Sequence, residues 1–190
     1  MPREKDFNQS TVIKKCTFLF ANNGYSATGI QEIVESTGIN RSSLYSTFKG
    51  KDELFLTCLD VASKEEISAL NEMNKKFTGL KFVDSYLVSA IKSQTQSHLF
   101  KFASAEFKLL NKKTQSFVNA HYRWRYHFLL SIVQEGQKTE KISKKLEAKD
   151  IVVMLELITQ GIQNLSSLAD AEKLYKKSVL RFSSLIKKKK

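Results

Sequence analysis

Between Arg3 and Lys190 the chain contains no proline; its single proline is Pro2. A proline inside a helix costs roughly 3 kcal/mol, so a proline-free chain of this length is open to helix almost throughout. Apolar residues then recur at spacings of three and four. One set is Val12, Ile13, Cys16, Leu19 and Phe20; another is Leu54, Phe55, Cys58, Leu59 and Ala62. Near the carboxyl end Leu174, Tyr175, Ser178, Val179, Phe182, Leu185 and Ile186 keep the same rhythm. This is the period of a buried helix face, not the period of two of a half-buried strand. Glycines at 24, 29, 38, 50, 79, 136 and 161 punctuate the pattern, several of them between amphipathic runs, where a helix ends readily on a left-handed residue. The expected fold is all-α.

Length and composition bound the rest. The 190 residues, 42% hydrophobic and 11% aromatic, suffice for a packed core, which excludes a disordered chain. No uncharged run supplies the roughly 20 apolar residues of a membrane-spanning helix. The amino terminus, Met1 to Asp6, is charged in both signs and leads into no signal-like apolar segment, so a cytoplasmic location is expected. Cys16 and Cys58 form no CxxC pair, and His98, His121 and His127 show no ligand spacing with them. Neither a metal nor a cofactor is expected. A thiol switch or an enzyme built on either cysteine is disfavoured, because both lie on apolar faces where a thiolate is unstable and no base accompanies them. A membrane-surface protein would rest on the Lys187–Lys190 run alone. The 31 basic against 19 acidic residues give a net charge of +12, which favours a polyanionic partner through the long-range field. That charge does not locate the contact. Residues 1–51 hold seven basic and four acidic residues (+3), and residues 135–190 hold thirteen and seven (+6).

The informative stretch runs from Ser26 to Leu54. Thr28 and Gln31 stand in the relation of a capping box, and Ile30, Ile33 and Val34 form the inward face of a helix barely two turns long. Gly38 ends it, and Asn40 is a strong cap for a second short helix whose inward residues are Leu44 and Phe48. A longer helix, Ser10 to Asn22, precedes the pair. Two short helices joined by a glycine-containing turn make a helix-turn-helix. The outward residues of the second helix, Arg41, Ser42, Ser43, Tyr45, Ser46 and Thr47, are polar and include no carboxylate, and Lys49 and Lys51 follow. A helix entering the major groove needs donors for base edges near its amino end and groups for phosphate oxygens along its sides.

The pattern Phe20-x-x-x-Gly24-Tyr25-x-x-Thr28, continued by Ile33, Gly38-Ile39, Leu44-Tyr45, Phe48, Lys51 and Leu54, resembles the amino-terminal signature of TetR-type transcriptional repressors over the first 55 residues. The resemblance implies a homodimeric, all-helical regulator of about nine helices. Such a protein binds a palindromic operator in double-stranded DNA and leaves it when a small molecule enters its larger domain. It implies a DNA-binding domain at 1–50 and an effector-binding and dimerisation domain at 51–190, with 51–75 as the connecting helix. Carried over by position, Thr28, Tyr45 and Lys51 are expected at phosphates, and Arg41, Ser42 and Ser43 at base edges. Ser46, Thr47 and Lys49 complete the expected interface, although Ser46 and Thr47 replace bulkier residues common in the family. Gly50 stands where a Ser cap is common.

Eleven of the twenty aromatic residues fall between Phe77 and Phe128. Such a concentration suggests the wall of an apolar or aromatic ligand pocket, with Tyr86, Phe100, Phe107, Tyr122, Trp124 and Tyr126 as candidates and an arginine of the Tyr122–Tyr126 run facing solvent or an anionic group. The run Ile151 to Ile158, with Glu156 its only charge, is apolar nearly all round and needs burial on most of its circumference. By resemblance the last two helices, about Ala148 to Ser167 and Ala169 to Lys187, form a four-helix dimer interface. Val152, Leu155, Thr159, Val179 and Phe182 are its expected residues.

Overall fold

The computed structural model describes residues 7–92, 96–165 and 171–188. The expected junction between the last two helices, at 167–169, and the side chains of His98 and Leu174 lie outside the described residues. Among those described, nine α-helices follow one another: α1 (Gln9–Asn23), α2 (Ile30–Thr37), α3 (Arg41–Phe48), α4 (Lys51–Lys76), α5 (Leu80–Lys92), α6 (Gln96–Ala105), α7 (Lys112–Lys138), α8 (Ala148–Leu165) and α9 (Ala171–Ile186). One 3-10 turn, Phe107–Leu109, stands between α6 and α7, and a lone antiparallel bridge joins Ile142 to Lys187. The fold is all-α, as the periodicity requires.

The chain divides into two compact units. The first comprises residues 1–65 and 94–120, hence α1 to α3, the first fifteen residues of α4, α6 and the start of α7. Its interior is built from Val12, Cys16, Phe20, Ile33, Leu44, Leu54, Phe55, Cys58 and Leu59, with Leu99 and Phe100 from α6, all buried. The Phe20 and Phe55 rings meet edge to face at 4.9 Å. Asn8 caps α1, its side-chain oxygen accepting the Ser10 amide at 2.9 Å. Gly38 closes α2 in the left-handed conformation, and Asn40 caps α3 by accepting the Ser43 amide at 2.7 Å.

One local expectation is corrected. Thr28 does not cap α2: Gly29 holds the cap position and no side-chain bond closes that end. Thr28 lies one residue too early and is fully buried, its hydroxyl donating to the Gly24 carbonyl at 2.7 Å. Gln31 donates to Glu35 along the helix instead, at 2.8 Å.

The second unit comprises residues 66–93 and 121–190. Here α5 packs on α8 and α9 around Phe82, Leu87, Leu129, Val133, Ile142, Ile151 and Leu155. Gly136 on α7 is a close-approach position: a Cβ there would lie 2.6 Å from the buried Ile142 side chain and 3.2 Å from the Gly79 backbone. Neither neighbour yields cheaply, one being enclosed in the core and the other main chain. Overpacking of this kind costs about 1–3 kcal/mol. Gly136→Ala is therefore expected to lose that much unfolding free energy, seen as a lower urea midpoint at an unchanged slope. An unmoved midpoint would show that the contact relaxes freely.

Candidate nucleic-acid interface

Helix α3 buries Leu44 and Phe48, four residues apart, and this fixes its rotation. Arg41, Ser42, Tyr45, Ser46 and Lys49 are left exposed, at spacings that make one continuous stripe. Ser43 and Thr47 sit half-buried on its flank. Tyr45 is 50% exposed, and Lys49 closes the helix in the left-handed conformation. The stripe holds no carboxylate. The structure thus brings seven of the expected residues onto one helix and its cap.

Thr28 and Lys51 are placed differently. Thr28 is turned inward, as described above. The Lys51 ammonium donates to the carbonyls of Tyr25 at 3.0 Å and Thr28 at 3.2 Å, and stands 4.3 Å from the centre of the Tyr25 ring. It therefore holds the α1–α2 turn from below. The Tyr25 hydroxyl donates to Asp52, which also accepts from Asn111 at 3.2 Å. These two bonds, Tyr25 first, hold the Asp52 carboxyl below its ordinary value; burial, and then the carboxylate, push the Tyr25 hydroxyl upward. Gly50 offers its carbonyl to the Leu54 amide, at the cap of α4.

The other expected site divides between the units. Phe100 and Phe107 belong to the first, Phe100 fully packed in its core, and Tyr86, Tyr122, Trp124 and Tyr126 to the second. Within the second unit Tyr122 stands against a partly buried charge cluster, centred on the buried Arg125, that sequence reasoning missed. Arg125 donates through Nε and a terminal nitrogen to both oxygens of Glu156, at 2.9 and 2.7 Å. Its other terminal nitrogen lies 3.3 Å from Glu66, whose second oxygen is 3.0 Å from His121 Nε2. The guanidinium stands 4.6 Å from the Tyr122 ring, and Gln160 donates to the Tyr122 hydroxyl at 3.2 Å. Arg123, by contrast, faces solvent. Burial alone would raise the Glu66 carboxyl, but the His121 hydrogen bond and the Arg125 charge outweigh it and hold it below 4.5. The sequence carried one clue, since Glu156 is a lone charge in an apolar run and a buried charge demands a partner.

The expected dimer residues Val152, Leu155, Thr159 and Val179 are buried within this unit itself, and Phe182 packs against the same core. The exposed large apolar residues of α8 are instead Val153, Met154, Leu157 and Leu165. Burial pushes the Cys16 and Cys58 thiols up to about 12, far from any thiolate at neutral pH. Among the described residues no group of His, Cys, Asp or Glu could hold a metal ion, and no helix is long and apolar enough to cross a membrane.

Residues 17–58 match the profile of bacterial regulatory proteins of the tetR family. The chain is 36% identical over 59 residues to the HTH-type transcriptional regulator YezE of Bacillus subtilis, covering 31% of this chain and 30% of that one. It is 38% identical over 58 residues to the HTH-type transcriptional repressor ComR of Escherichia coli, covering 30% and 28%. The matched segment therefore spans less than a third of either relative. A crystal structure of a TetR-family transcriptional regulator from Agrobacterium tumefaciens superposes with a TM-score of 0.82 at 17% identity, covering 98% of this chain and all of that one. At that identity the likeness shows the fold, and it extends along the whole chain.

The buried cluster yields a test. Removing one partner of a buried ion pair costs about 3–5 kcal/mol, because the other charge is left in the core. Glu156→Ala is expected to lose about that much in urea denaturation, and Glu156→Ala with Arg125→Met to recover part of it. A loss below about 1 kcal/mol would mark a solvent-screened pair. The Glu66 carboxyl is lower in the folded chain, so its contribution is complete above 4.5 and is lost as pH falls through the folded value. Glu66→Gln is expected to flatten that acid-side decline.

Proposed function

We propose that this chain, whose residues 17–58 match the profile of tetR-family bacterial regulatory proteins, is a homodimeric repressor of that family, released from a palindromic operator by a small, largely apolar or aromatic molecule. The observation that carries the DNA-binding part is the acid-free stripe Arg41, Ser42, Tyr45, Ser46 and Lys49, held outward by the burial of Leu44 and Phe48. Arg41 and Ser42, in the first turn, are set for base edges; Tyr45 and Lys49 are set for phosphates. Residues 1–50 form the DNA-binding head, 51–75 the connecting helix and 51–190 the effector and dimer domain. The setting is the cytoplasm, where the duplex is.

Dimerisation is assigned to the exposed face of α8. Val153, Met154 and Leu157 are 47%, 38% and 68% exposed and lie on adjoining positions of one helix side; Leu185 on α9 is 78% exposed. A second copy that covers these side chains removes a hydrophobic patch from water, and a dimer on the duplex needs its two reading helices about 34–36 Å apart, one turn. The effector is assigned to the aromatic side chains around Tyr122 and Trp124. Arg125 donates to two carboxylates, so it offers no ready partner to an anion, which favours an apolar or aromatic ligand.

Two measurements test this reading. The native chain is expected to bind a duplex from its own promoter with a steep salt dependence, and Lys49→Ala to weaken every duplex while lowering the log–log salt slope by about 0.9. An unchanged slope removes Lys49 from the phosphate contacts, and no salt-sensitive binding to any duplex overturns the reading. For the interface, Leu157→Lys is expected to sediment as a monomer with unchanged helicity. A dimer that persists would place the partner elsewhere.

A further inference from the structure

The turn between α1 and α2 sets where the reading pair sits, and a carboxylate eighty residues away grips it. Glu106, just after α6, accepts two successive amides of that turn with one oxygen: Tyr25 N–H at 2.8 Å and Ser26 N–H at 3.0 Å. Its own backbone is pinned on both sides, the Glu106 amide donating to Phe102 at 2.9 Å and its carbonyl accepting from Leu109 at 2.8 Å. The approach is close enough to dictate residue 24. Gly24 has φ +86°, and a Cβ there would lie 2.9 Å from the other Glu106 oxygen and 3.1 Å from the Phe102 ring. Lys51 holds the carbonyls of the same turn and Asp52 its tyrosine hydroxyl. The turn is therefore fixed through its amides, its carbonyls and its side chain, and the amides are held by Glu106.

Electrostatics sharpens the question. A carboxylate in the unit that meets a polyanion opposes binding through the long-range field. A glutamate there, bonded to main-chain amides, acts on position while its charge works against the task. We infer that Glu106 is a positioning residue for DNA recognition: by capping the Tyr25 and Ser26 amides it fixes the α1–α2 turn, and with it the place of α2 and α3. The inference rests on the DNA-binding reading above.

The two roles of the carboxylate predict opposite signs. Glu106→Ala removes both charge and acceptor; Glu106→Gln removes the same charge but keeps an acceptor oxygen. If Glu106 acts as a positioning residue, the alanine variant loses about tenfold or more in affinity for the promoter duplex at constant salt, and the glutamine variant stays near the native value. If Glu106 were only a surface charge, both variants would bind alike and slightly more tightly, and the inference would fall. Amide hydrogen exchange in the DNA-free protein guards against trivial unfolding. Tyr25 and Ser26 are expected to exchange faster in the alanine variant than in the glutamine variant, while the amides of Phe55 and Leu59 keep their protection. Equal exchange at Tyr25 and Ser26 in both variants overturns the contact even if the native chain binds no duplex at all, which separates this failure from failure of the DNA-binding reading.

Discussion

Burial of one pair of side chains, Leu44 and Phe48, is the constraint on which the reading helix depends. A helix of eight residues has little stability of its own in water and takes its orientation from what it buries. With two apolar residues four apart turned into the core, the rest of α3 has no freedom of rotation. Arg41, Ser42, Tyr45, Ser46 and Lys49 must face outward together. A one-residue change in which positions are apolar would rotate the stripe by about 100° and leave its polar groups against the core. The chemistry of the exposed side follows from the identity of the hidden one.

The second unit solves a different problem. A bridge such as Arg125 with Glu156 and Glu66 contributes little net stability compared with three well-packed apolar side chains, because taking the charges out of water costs about what their attraction returns. Its effect is selective. Any rotation of α8 that separates Glu156 from Arg125 takes from the buried guanidinium the closer of its two carboxylate partners, whereas the native rotation keeps both. The run Ile151 to Ile158 is apolar on nearly every side, with Glu156 its only charge. The Glu156–Arg125 contact agrees with the rotation that turns Val152 and Leu155 inward and leaves Val153, Met154 and Leu157 exposed.

What the sequence made legible follows the same division. Periods of three and four gave the helices, and the Asn40 cap with Leu44 and Phe48 gave α3 its limits and its outward face. The short run 151–158 does not show which side of α8 turns inward, because it is apolar nearly all round, and the partner of its one charge, Glu156, lies thirty-one residues away at Arg125. A threonine three residues before a glutamine satisfies the capping pattern whether or not it is buried, and Thr28 is buried. Glu106 left no local trace, since its partners are main-chain amides and carry no side-chain signature. Contacts between residues close in sequence leave periodic marks; contacts between a side chain and a distant backbone do not.

The acids of the first unit bear on how such a unit can approach a duplex. Glu32 accepts from Asn23, Glu35 from Gln31, Asp52 from Tyr25 and Asn111, Glu53 from Lys113, Asp60 from Lys64 and Glu106 from the turn amides. A hydrogen-bonded carboxylate keeps its charge, but its oxygens are held at fixed donors and cannot swing toward a phosphate. Lys113 and Lys64 also place a positive charge within a few ångströms, so the field of those acids falls away quickly with distance. The stripe on α3 has no such tether: its arginine and lysine extend into water with no carboxylate beside them on the helix. With Glu32 and Glu35 held by their own neighbours, a net charge of only +3 over residues 1–51 is compatible with a face that attracts phosphate.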